Sequence, residues 1–298
     1  MLGIPVRYLL KHPVHGLIDI ASDPIQVLMT MQDYYIERRE RSSPRCQYQS
    51  DENWEQHMHE RLSLAWPCES RAEFWDLWPV VMNQLAQNGI DAGPETFKWW
   101  NDGDAGLVRA IWCLIRHLKP KRIVETGVAH GVSSRFILEA LKANGDGHLW
   151  SIDLPPLERT LHPEIGVAVG QGHTDRWTFI RGSSRRRLPK LLSDIGQIDM
   201  FIHDSLHSEH NVRFELDRVG RCLGPNGVIV VDDVDANGGF HSFVEEFSID
   251  QAIICDAEPV RPDMRRPNNK GQFGIILNAP VKGQRLASRL AEQWHSRS

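Results

Sequence analysis

The chain has 298 residues, a formal net charge of −5 at pH 7, and 24% charged and 41% hydrophobic residues. A chain of this length can bury a sizeable core, either as one large domain or as two smaller ones. The mild negative charge gives no reason to expect nucleic acid or an anionic membrane surface as a partner.

The cysteines and the first residues bear on the cellular compartment. The 5 cysteines are odd in number and lack a CxxC pair, which favours a reducing compartment over a disulfide framework. Lys11-His12-Pro13 interrupts the apolar N-terminal residues, and no apolar run is long enough to span a bilayer. We therefore expect a cytoplasmic protein without a membrane span.

The N-terminal third of the chain is predicted to be helical. Asp23-Pro24 is typical of a helix start. Residues 51–100 are rich in tryptophan at irregular spacing, which indicates a small helical layer packed on a larger body. We predict that residues 1–104 form a helical cap that contributes to a substrate site or to oligomerisation. A further helix is predicted over Leu107–Leu118, with its apolar residues on one face.

From residue 122 onward the pattern changes to alternating strands and helices. RIVETGVAHGVSSRFI, residues 122–137, is typical of a strand, a tight glycine turn and a helix, and Gly127 and Gly131 let the backbone turn sharply near a ligand. The alternation predicts an α/β fold over residues 105–298: a Rossmann-like, seven-stranded and mostly parallel sheet with helices on both faces and one antiparallel edge, next to the N-terminal helical cap. The predicted strands cover residues 123–124, 149–152, 177–180, 198–202, 228–231, 252–255 and 273–277.

Polar residues collect where the predicted strands end. In an open parallel sheet, ligands bind outside the carboxyl ends of the strands. Asp153, at the end of the second strand, can accept both hydroxyls of a ribose, or it can cap a turn before Pro155-Pro156. The residues at these ends are Glu125, Asp153, Gly182, Ser183, Asp204, Asp232 and Asp233.

Three of these carboxylates predict a cation. If Asp204, Asp232 and Asp233 converge, each pair at ~4 Å repels by about 4 kcal/mol at an effective dielectric constant of 20. A hard divalent ion such as Mg²⁺, bound by oxygen ligands, relieves that repulsion. The alternatives are that some of the carboxyls are protonated, or that Asp233 caps the following helix.

His207 is a candidate general base. It stands three residues after Asp204, and an imidazole can take up a proton near neutral pH. His203 and His210 are competing candidates. A zinc site built from histidine and aspartate is an alternative, although no dense spacing of cysteine and histidine supports it.

Two basic segments each have a functional interpretation and a purely structural one. Arg185-Arg186-Arg187 can bind a substrate carboxylate or phosphate, but a solvated helix start is the favoured interpretation. The segment Arg261–Lys270 is long enough to serve as a lid, with a surface loop as the default interpretation.

Together these motifs resemble the class I S-adenosylmethionine (SAM)-dependent methyltransferases over residues 105–278. VETGVAHGVSS is similar to the glycine-rich first motif of that family, and SIDLP to its acidic second motif. GPNGVIVVDDV is similar to the strand after the family's L-x-P-G-G turn, with a mild departure at Pro225-Asn226-Gly227. The pairing of HDSLH with VDDV resembles the metal-dependent O-methyltransferases of the catechol and macrolide-sugar kinds.

The resemblance implies a set of roles. Asp204, Asp232 and Asp233 would hold Mg²⁺, and His207, helped by Asp204, would be the catalytic base, in a position where the catechol type has lysine and the sugar type histidine. The expected acceptor is a hydroxylated small molecule; a sugar hydroxyl, a catechol-like phenol and a lipid or polysaccharide end all remain open, and a homodimer is the favoured assembly. The implied cofactor residues are Glu125 and Ser133 at the methionine end or ribose, Asp153 at the ribose, Ser183 at the adenine, and Gly127, Gly131, Gly182 and Asp204.

Other functions remain open at the level of the sequence. A cephalosporin-hydroxylase-like oxygenase has a related fold with an acidic metal site, and would require iron and a co-substrate. A non-catalytic SAM-binding subunit would not need Asp204, Asp232, Asp233 and His207 together. An NAD dehydrogenase is disfavoured because the spacing E-x-G-x-x-x-G is not the dinucleotide-binding G-x-G-x-x-G.

Overall fold

The computed structural model of the protein describes residues 21, 23–40, 45–90, 104–154, 156, 159–173, 175–247, 249, 252–258 and 271–279. The segment Arg261–Lys270, considered above as a lid or surface loop, lies outside these residues. Within the part of the chain that the structure describes, every helix is too short or too polar to cross a lipid bilayer.

The described strands form a single seven-stranded sheet, which confirms the predicted α/β architecture. Its strand order is 3-2-1-4-5-7-6 in chain numbering. Strands one to five pair in parallel, and the seventh is antiparallel to both of its neighbours. The strands are β1 Arg122–Thr126, β2 His148–Asp153, β3 Trp177–Arg181, β4 Ile198–His203, β5 Leu223–Val231, β6 Ile253–Asp256 and β7 Gln272–Ile276.

Helices cover both faces of this sheet, as predicted. Because successive strand residues point to opposite faces, Ile123 belongs to one hydrophobic cluster and Val124 to the other, and β4 and β5 alternate in the same way. The described helices are α1 Pro24–Glu40, α2 Trp54–Arg61, α3 Arg71–Gln87, α4 Ala105–Leu118, α5 Val132–Asn144, α6 Ser184–Ile195, α7 Glu209–Val219 and α8 Gly239–Glu246.

Two strand predictions need correction. β5 begins at Leu223, upstream of the predicted residue 228, because the turn expected at 225–227 is an irregularity within the strand: its pairing with β4 jumps from Leu223 to Val228. The antiparallel strand is β7, which lies between β5 and β6, so the outermost strand β6 runs parallel to β5. Both features arise from pairing between distant segments.

The helices α2 and α3 pack on one face of the sheet as a layer. Trp54 and Trp78 belong to the same buried cluster as α4, α5 and that sheet face, whereas Trp66 and Trp75 are 38% and 40% exposed. The tryptophan-rich segment therefore supplies core residues, as its composition predicts. This layer shares one hydrophobic cluster with the sheet. The predicted domain boundary between residues 104 and 105 stays a prediction.

The helix α1 lies across the carboxyl edge of the sheet. It begins at Pro24, as predicted, where the Asp23 carboxylate accepts a hydrogen bond from the Gln26 amide at 3.0 Å. The Gln26 side-chain oxygen accepts from the Ser183 amide at 3.3 Å, before α6. At the other end, the Glu40 carboxylate accepts from the Glu209 amide at 2.6 Å, at the start of α7.

Arginines of α6 hold α1 in place, which corrects the interpretation of a solvated helix start. Arg185 is paired with Asp33, and each of these two side chains is only 10% exposed. Arg186 donates both of its contacts to the carboxylate of Asp23 at 2.9 Å. The basic run is therefore engaged by the chain itself, because a helix more than a hundred residues away covers it.

This docking gives a first prediction. Arg185→Ala leaves the Asp33 carboxylate buried without its cation, and breaking a buried pair costs about 3–5 kcal/mol. We expect α1 to open locally, so that its amides exchange with deuterium much faster in hydrogen-exchange mass spectrometry. Lys190→Ala, which breaks an exposed pair with Asp194 on the same helix, should leave the exchange of α1 unchanged. Equal protection of α1 in both variants would contradict this account.

Candidate functional site at the carboxyl edge of the sheet

The crevice of the sheet lies where β1 stands between β2 and β4. Gly127, just after β1, has φ +90°, and a Cβ at this position would overlap the carbonyl oxygen of Asp204. The Gly127 amide donates to the Ile152 carbonyl at 2.9 Å, and the Asp204 amide donates to the Thr126 carbonyl at 2.8 Å. The glycine turn after β1 and the acidic turn after β4 are therefore in direct backbone contact.

The same turn ends at Gly131, which has φ +83° and caps α5. A Cβ there would come within 2.9 Å of the Gly166 Cα, so the backbone of residues 166–169 passes directly over the turn. The first amides of α5 follow this turn directly, and a helix N-terminus favours a polar or anionic group.

Gly127→Ala tests the contact between the two turns. Because the added methyl group would overlap the Asp204 backbone and φ is positive, we expect a loss of about 3 kcal/mol or more in the free energy of unfolding. Gly145→Ala is the control: its φ is +79°, but a Cβ there would meet nothing within 4 Å, so only the backbone cost of about 1 kcal/mol applies. Urea denaturation of both variants measures the difference, and equal losses would show that the contact carries no energy.

Glu125 lies beneath the turn rather than in the open crevice. Its carboxylate is fully buried and accepts hydrogen bonds from the hydroxyls of Ser133, Ser134 and Ser151 at 2.6–2.7 Å. Burial raises the pKa of Glu125 to about 6, although the three hydroxyls oppose the shift. The structure thus brings Glu125 and Ser133 together as the support of the glycine turn, and their predicted contact with a cofactor stays a prediction.

The raised pKa of Glu125 makes stability depend on pH. Since the folded state binds the proton more tightly than the unfolded chain, this contribution is complete below about pH 4.5 and is lost as the pH rises through about 6. The shift from 4.5 to about 6 corresponds to about 2 kcal/mol. Urea denaturation from pH 4.5 to 7 should show wild type losing this amount relative to Glu125→Gln. The control, Glu73→Gln at an exposed carboxylate, should keep a constant offset from wild type.

Asp153 ends β2 beside the glycine turn. Its Oδ2 atom accepts from the amides of Val128 and Ala129 at 3.2 and 3.0 Å, and the residue is 8% exposed. Its carbonyl accepts from the Gly182 amide at 2.7 Å, which links the ends of β2 and β3. The acidic end of β2 and the Gly182-Ser183 turn are therefore adjacent, as the edge rule predicts, and Gln26 of α1 lies against that turn.

Three side chains converge beyond the ends of β4 and β5. One ligand atom each of Asp204, His207 and Asp232 lies within 4.8 Å of the others. The Nε2 atom of His207 is 3.7 Å from Asp204 Oδ1, and these side chains are 28% and 34% exposed. The His207 backbone is held by Asn237, whose amide donates to its carbonyl at 3.2 Å. The structure thus brings Asp204, Asp232 and His207 together, as the sequence predicted.

Asp233 is placed differently from the other two carboxylates. It has φ +49° and precedes the short 3-10 turn Val234–Ala236, without a capping hydrogen bond from its side chain. Its Oδ1 atom points toward Gly271, where a Cβ would lie 2.9 Å away. Among the described residues, two groups of side chains bring possible metal-ligand atoms close together, and Asp233 belongs to neither of them. Burial, followed by the charge of Asp233, raises the pKa of Asp232 well above its ordinary value, so a proton or a cation at this carboxyl would relieve the unfavourable burial of its charge.

His203, a competing candidate for the base, is instead part of a buried network. Its Nδ1 atom lies 2.7 Å from Glu215 Oε2, and both side chains are fully buried. Burial alone would raise the pKa of Glu215, but the charge and hydrogen bond of His203 hold that pKa below its ordinary value. Thr126 and Ser205 donate to the same carboxylate at 2.6 and 2.9 Å, so Glu215 joins the ends of β1 and β4.

The sequence interpretation missed Glu215 and one further carboxyl group, Asp104. The signal for Glu215 was an acidic residue on the apolar face of α7, between Val212 and Val219. Asp104 caps α4 by accepting from the Gly106 amide at 2.8 Å. Burial, followed by the charge of Asp232, raises the pKa of Asp104 to about 8, which places a protonatable group next to the candidate site.

Comparison with known proteins supports the fold and the family resemblance. Residues 124–234 match a family model described as a methyltransferase domain. This range extends from β1 to the 3-10 turn after β5 and contains every site residue that the sequence predicted. The match confirms the resemblance to SAM-dependent methyltransferases. No curated protein matches the chain.

Three solved structures align with this chain, and the first of them supports the fold. A protein from Klebsiella pneumoniae assigned as an O-methyltransferase aligns with a TM-score of 0.50 and 18% identity, over 76% of this chain and 96% of its own. The O-methyltransferase TomG from Streptomyces achromogenes, in complex with SAM, aligns at 0.49 and 18%, over 67% and 88%. An O-methyltransferase from Bacillus cereus, in complex with S-adenosylhomocysteine, aligns at 0.48 and 14%, over 75% and 96%.

Proposed function

Because residues 124–234 match a methyltransferase-domain family model, we propose that the protein transfers the methyl group of SAM to a hydroxyl oxygen of a small acceptor, with a divalent cation at the carboxyl ends of β4 and β5. The observation that carries this proposal is the convergence of Asp204, His207 and Asp232 directly beside the glycine turn at Gly127. A turn with a purely structural role does not require two carboxylates and a histidine in one place.

The crevice between β1 and β4 fits a nucleoside cofactor. The turn from Gly127 to Gly131 offers backbone without side chains on its glycines, so a ligand can approach closely. Asp153 stands at the end of β2, where a carboxylate can accept ribose hydroxyls. The Gly182-Ser183 turn lies next to it, and we propose that it borders the adenine while Gln26 of α1 covers it.

The donor set also fits a divalent cation. The carboxylates of Asp204 and Asp232 supply hard oxygen ligands, and the raised pKa of Asp232 reflects repulsion and burial that a cation would offset. Asp233, which the resemblance implies as a third ligand, would have to turn away from Gly271 to join them. When bound, such an ion lowers the pKa of an acceptor hydroxyl that coordinates it.

We propose that His207 removes the proton from the acceptor hydroxyl. Its Nε2 atom faces the same space as the Asp204 and Asp232 carboxylates, so an acceptor hydroxyl held there lies within reach of it. Asp204 stabilises the imidazolium that forms, and Asn237 fixes the backbone of His207. The same distances are compatible with His207 as a third metal ligand, which the experiment below separates from a role as base.

The rival functions find less support in the site. A non-haem iron oxygenase typically uses two histidines and one carboxylate, whereas the group here has one histidine and two carboxylates. A non-catalytic binder needs none of these three side chains. The described residues therefore favour transfer chemistry on a hydroxyl, and we propose a sugar or a phenol as the acceptor.

A dimer through α1 is part of the proposal. Ile25, Leu28, Met31 and Tyr35 recur along this helix and are 54%, 66%, 38% and 67% exposed. Such an apolar row on an otherwise polar helix is typical of an interface.

The free thiols of all five cysteines agree with the cytoplasm as the proposed compartment.

The first experiment is calorimetric titration of S-adenosylhomocysteine into the protein, followed by methyl transfer from SAM to a panel of catechols and sugars with Mg²⁺ or with EDTA. We expect micromolar binding that Asp153→Ala abolishes, and activity that EDTA removes and Mg²⁺ restores. His207→Gln should lower kcat by about 10²–10⁴-fold without changing cofactor affinity or the Mg²⁺ concentration needed for half-maximal rate.

The control is Asp199→Asn, at the amino end of the same strand β4, where the carboxylate accepts from the amides of Lys121 and Arg122. It should keep full activity. Absence of S-adenosylhomocysteine binding would refute the methyltransferase proposal as a whole, and EDTA-resistant activity would refute the cation. A shifted Mg²⁺ requirement in His207→Gln would make His207 a ligand instead of the base.

A further inference from the structure

A second cluster of possible metal ligands lies outside the crevice, in the helical layer. It consists of His59 on α2, Cys68 in the turn before α3, and Cys113 and His117 on α4. One ligand atom of each lies within 4.8 Å of the other three. The cluster is separate from Asp204 and its neighbours, and methyl transfer does not use it.

The distances within the cluster are slightly shorter than those around a shared metal centre. Cys68 Sγ lies 3.0 Å from Cys113 Sγ and 3.3 Å from His117 Nε2, and Cys113 Sγ lies 3.3 Å from His59 Nε2. A tetrahedral zinc ion with bonds of about 2.3 Å to sulfur and about 2.0 Å to nitrogen separates its ligand atoms by about 3.3–3.8 Å. Small outward movements of the side chains would complete that geometry.

The histidine on α2 is oriented for coordination. The Nδ1 atom of His59 lies 2.6 Å from the Glu55 carbonyl oxygen, which can only accept, so Nδ1 carries the proton. In a neutral imidazole with this tautomer, the Nε2 atom that faces Cys113 has the free electron pair that a metal ion needs. Metal-bound histidines typically have this second hydrogen bond to a carbonyl or carboxylate. Glu55 is itself fixed by ion pairs with Arg71 and Arg109.

The turn that carries Cys68 is also fixed. The Ser70 carbonyl accepts from the Trp112 indole at 3.1 Å, and the Ser70 hydroxyl lies 3.3 Å from the Cys68 sulfur. Cys113 and His117 are four residues apart on α4, so they project from one face of that helix.

Burial and charge favour a metal over an empty cluster. His59, Cys68 and Cys113 are 1%, 9% and 5% exposed, and they border a cavity of ≈ 10 Å³, which is about the space of one water molecule. Two thiolates, two neutral imidazoles and a divalent ion sum to zero charge, so the complete site can be buried at little electrostatic cost. Four protein ligands leave no open position, which is the mark of a structural site.

We propose that His59, Cys68, Cys113 and His117 bind a structural zinc ion that joins α2, the turn before α3, and α4. Sulfur with imidazole nitrogen in tetrahedral arrangement is the donor set of zinc among common metals. The main competing outcome is a disulfide between Cys68 and Cys113, but their sulfur atoms are 3.0 Å apart, whereas a disulfide bond is about 2.0 Å long. A disulfide would also leave the two histidines without a role.

The site has a mechanical consequence for the domain. α4 leads directly into β1 and the glycine turn, so an ion that clamps α2 and the Cys68 turn to α4 fixes the helical layer against the sheet. Removal of the ion should therefore loosen α2 and α3 first, and leave the pairing of β1 with β2 and β4 intact.

The test is metal analysis of the purified full chain by inductively coupled plasma mass spectrometry, with cobalt(II) replacing the metal in a second sample. We expect about one zinc ion per chain. The cobalt-substituted protein should show thiolate-to-cobalt charge-transfer absorption and the intense visible bands of a tetrahedral site. Weak octahedral bands, or no zinc in protein purified under reducing conditions and no uptake of added Zn²⁺, would overturn the proposal.

Matched variants locate the ion. Cys113→Ser and His117→Gln should each lose zinc and lower the melting temperature, whereas Cys255→Ser, at a buried free cysteine outside the cluster, should keep it. Retention of zinc by Cys113→Ser would overturn the assignment. So would a Cys68–Cys113 disulfide found by differential alkylation of freshly purified protein.

A further variant separates this site from the crevice. Asp204→Asn should keep the zinc content and the cobalt–thiolate absorption even if it abolishes methyl transfer. Loss of zinc in Asp204→Asn would place the ion at the carboxyl edge and refute the site in the helical layer. The zinc proposal and the proposed methyl transfer can thus fail independently.

Discussion

The backbone contact between Gly127 and Asp204 is the constraint on which the site depends. It joins the turn after β1, which shapes the cofactor side of the crevice, to the turn after β4, which carries the acidic group. Beneath it, the buried Glu215 binds Thr126 of one strand and His203 of the other. Because these contacts are short and fully enclosed, a shift of either turn moves the other. The distance between the proposed cofactor and the proposed cation is therefore set by buried packing and hydrogen bonds.

Much of this arrangement follows from local sequence. The alternation of apolar residues with glycine turns predicts the strands, and their carboxyl ends predict where Asp153, Asp204 and Asp232 lie, because parallel strands share one edge. The convergence of His207 with Asp204 follows from its position three residues later, in the turn that leads into α7. These features depend on residues that are close together in the sequence, so they can be predicted from one sequence.

The rest depends on contacts between distant segments. Nothing near Arg185 indicates that Asp33 would bury it, so the basic run was predicted to face water. Asp233 adjoins Asp232, yet its left-handed backbone directs it toward Gly271. The Cys and His cluster is drawn from three separate parts of the chain, and its only local trace is the four-residue spacing of Cys113 and His117 on α4. The number and spacing of the cysteines disfavoured a disulfide framework but could not show which of them meet.

The position of α1 has a consequence for the timing of catalysis. This helix spans the edge from the Ser183 turn to the start of α7 and is tied down by ion pairs that are partly or wholly enclosed. Under the proposed function, a cofactor bound beneath this helix would be released more slowly while those ties hold. The dwell time of the spent cofactor would then depend on two arginines and two aspartates that never touch the reacting atoms.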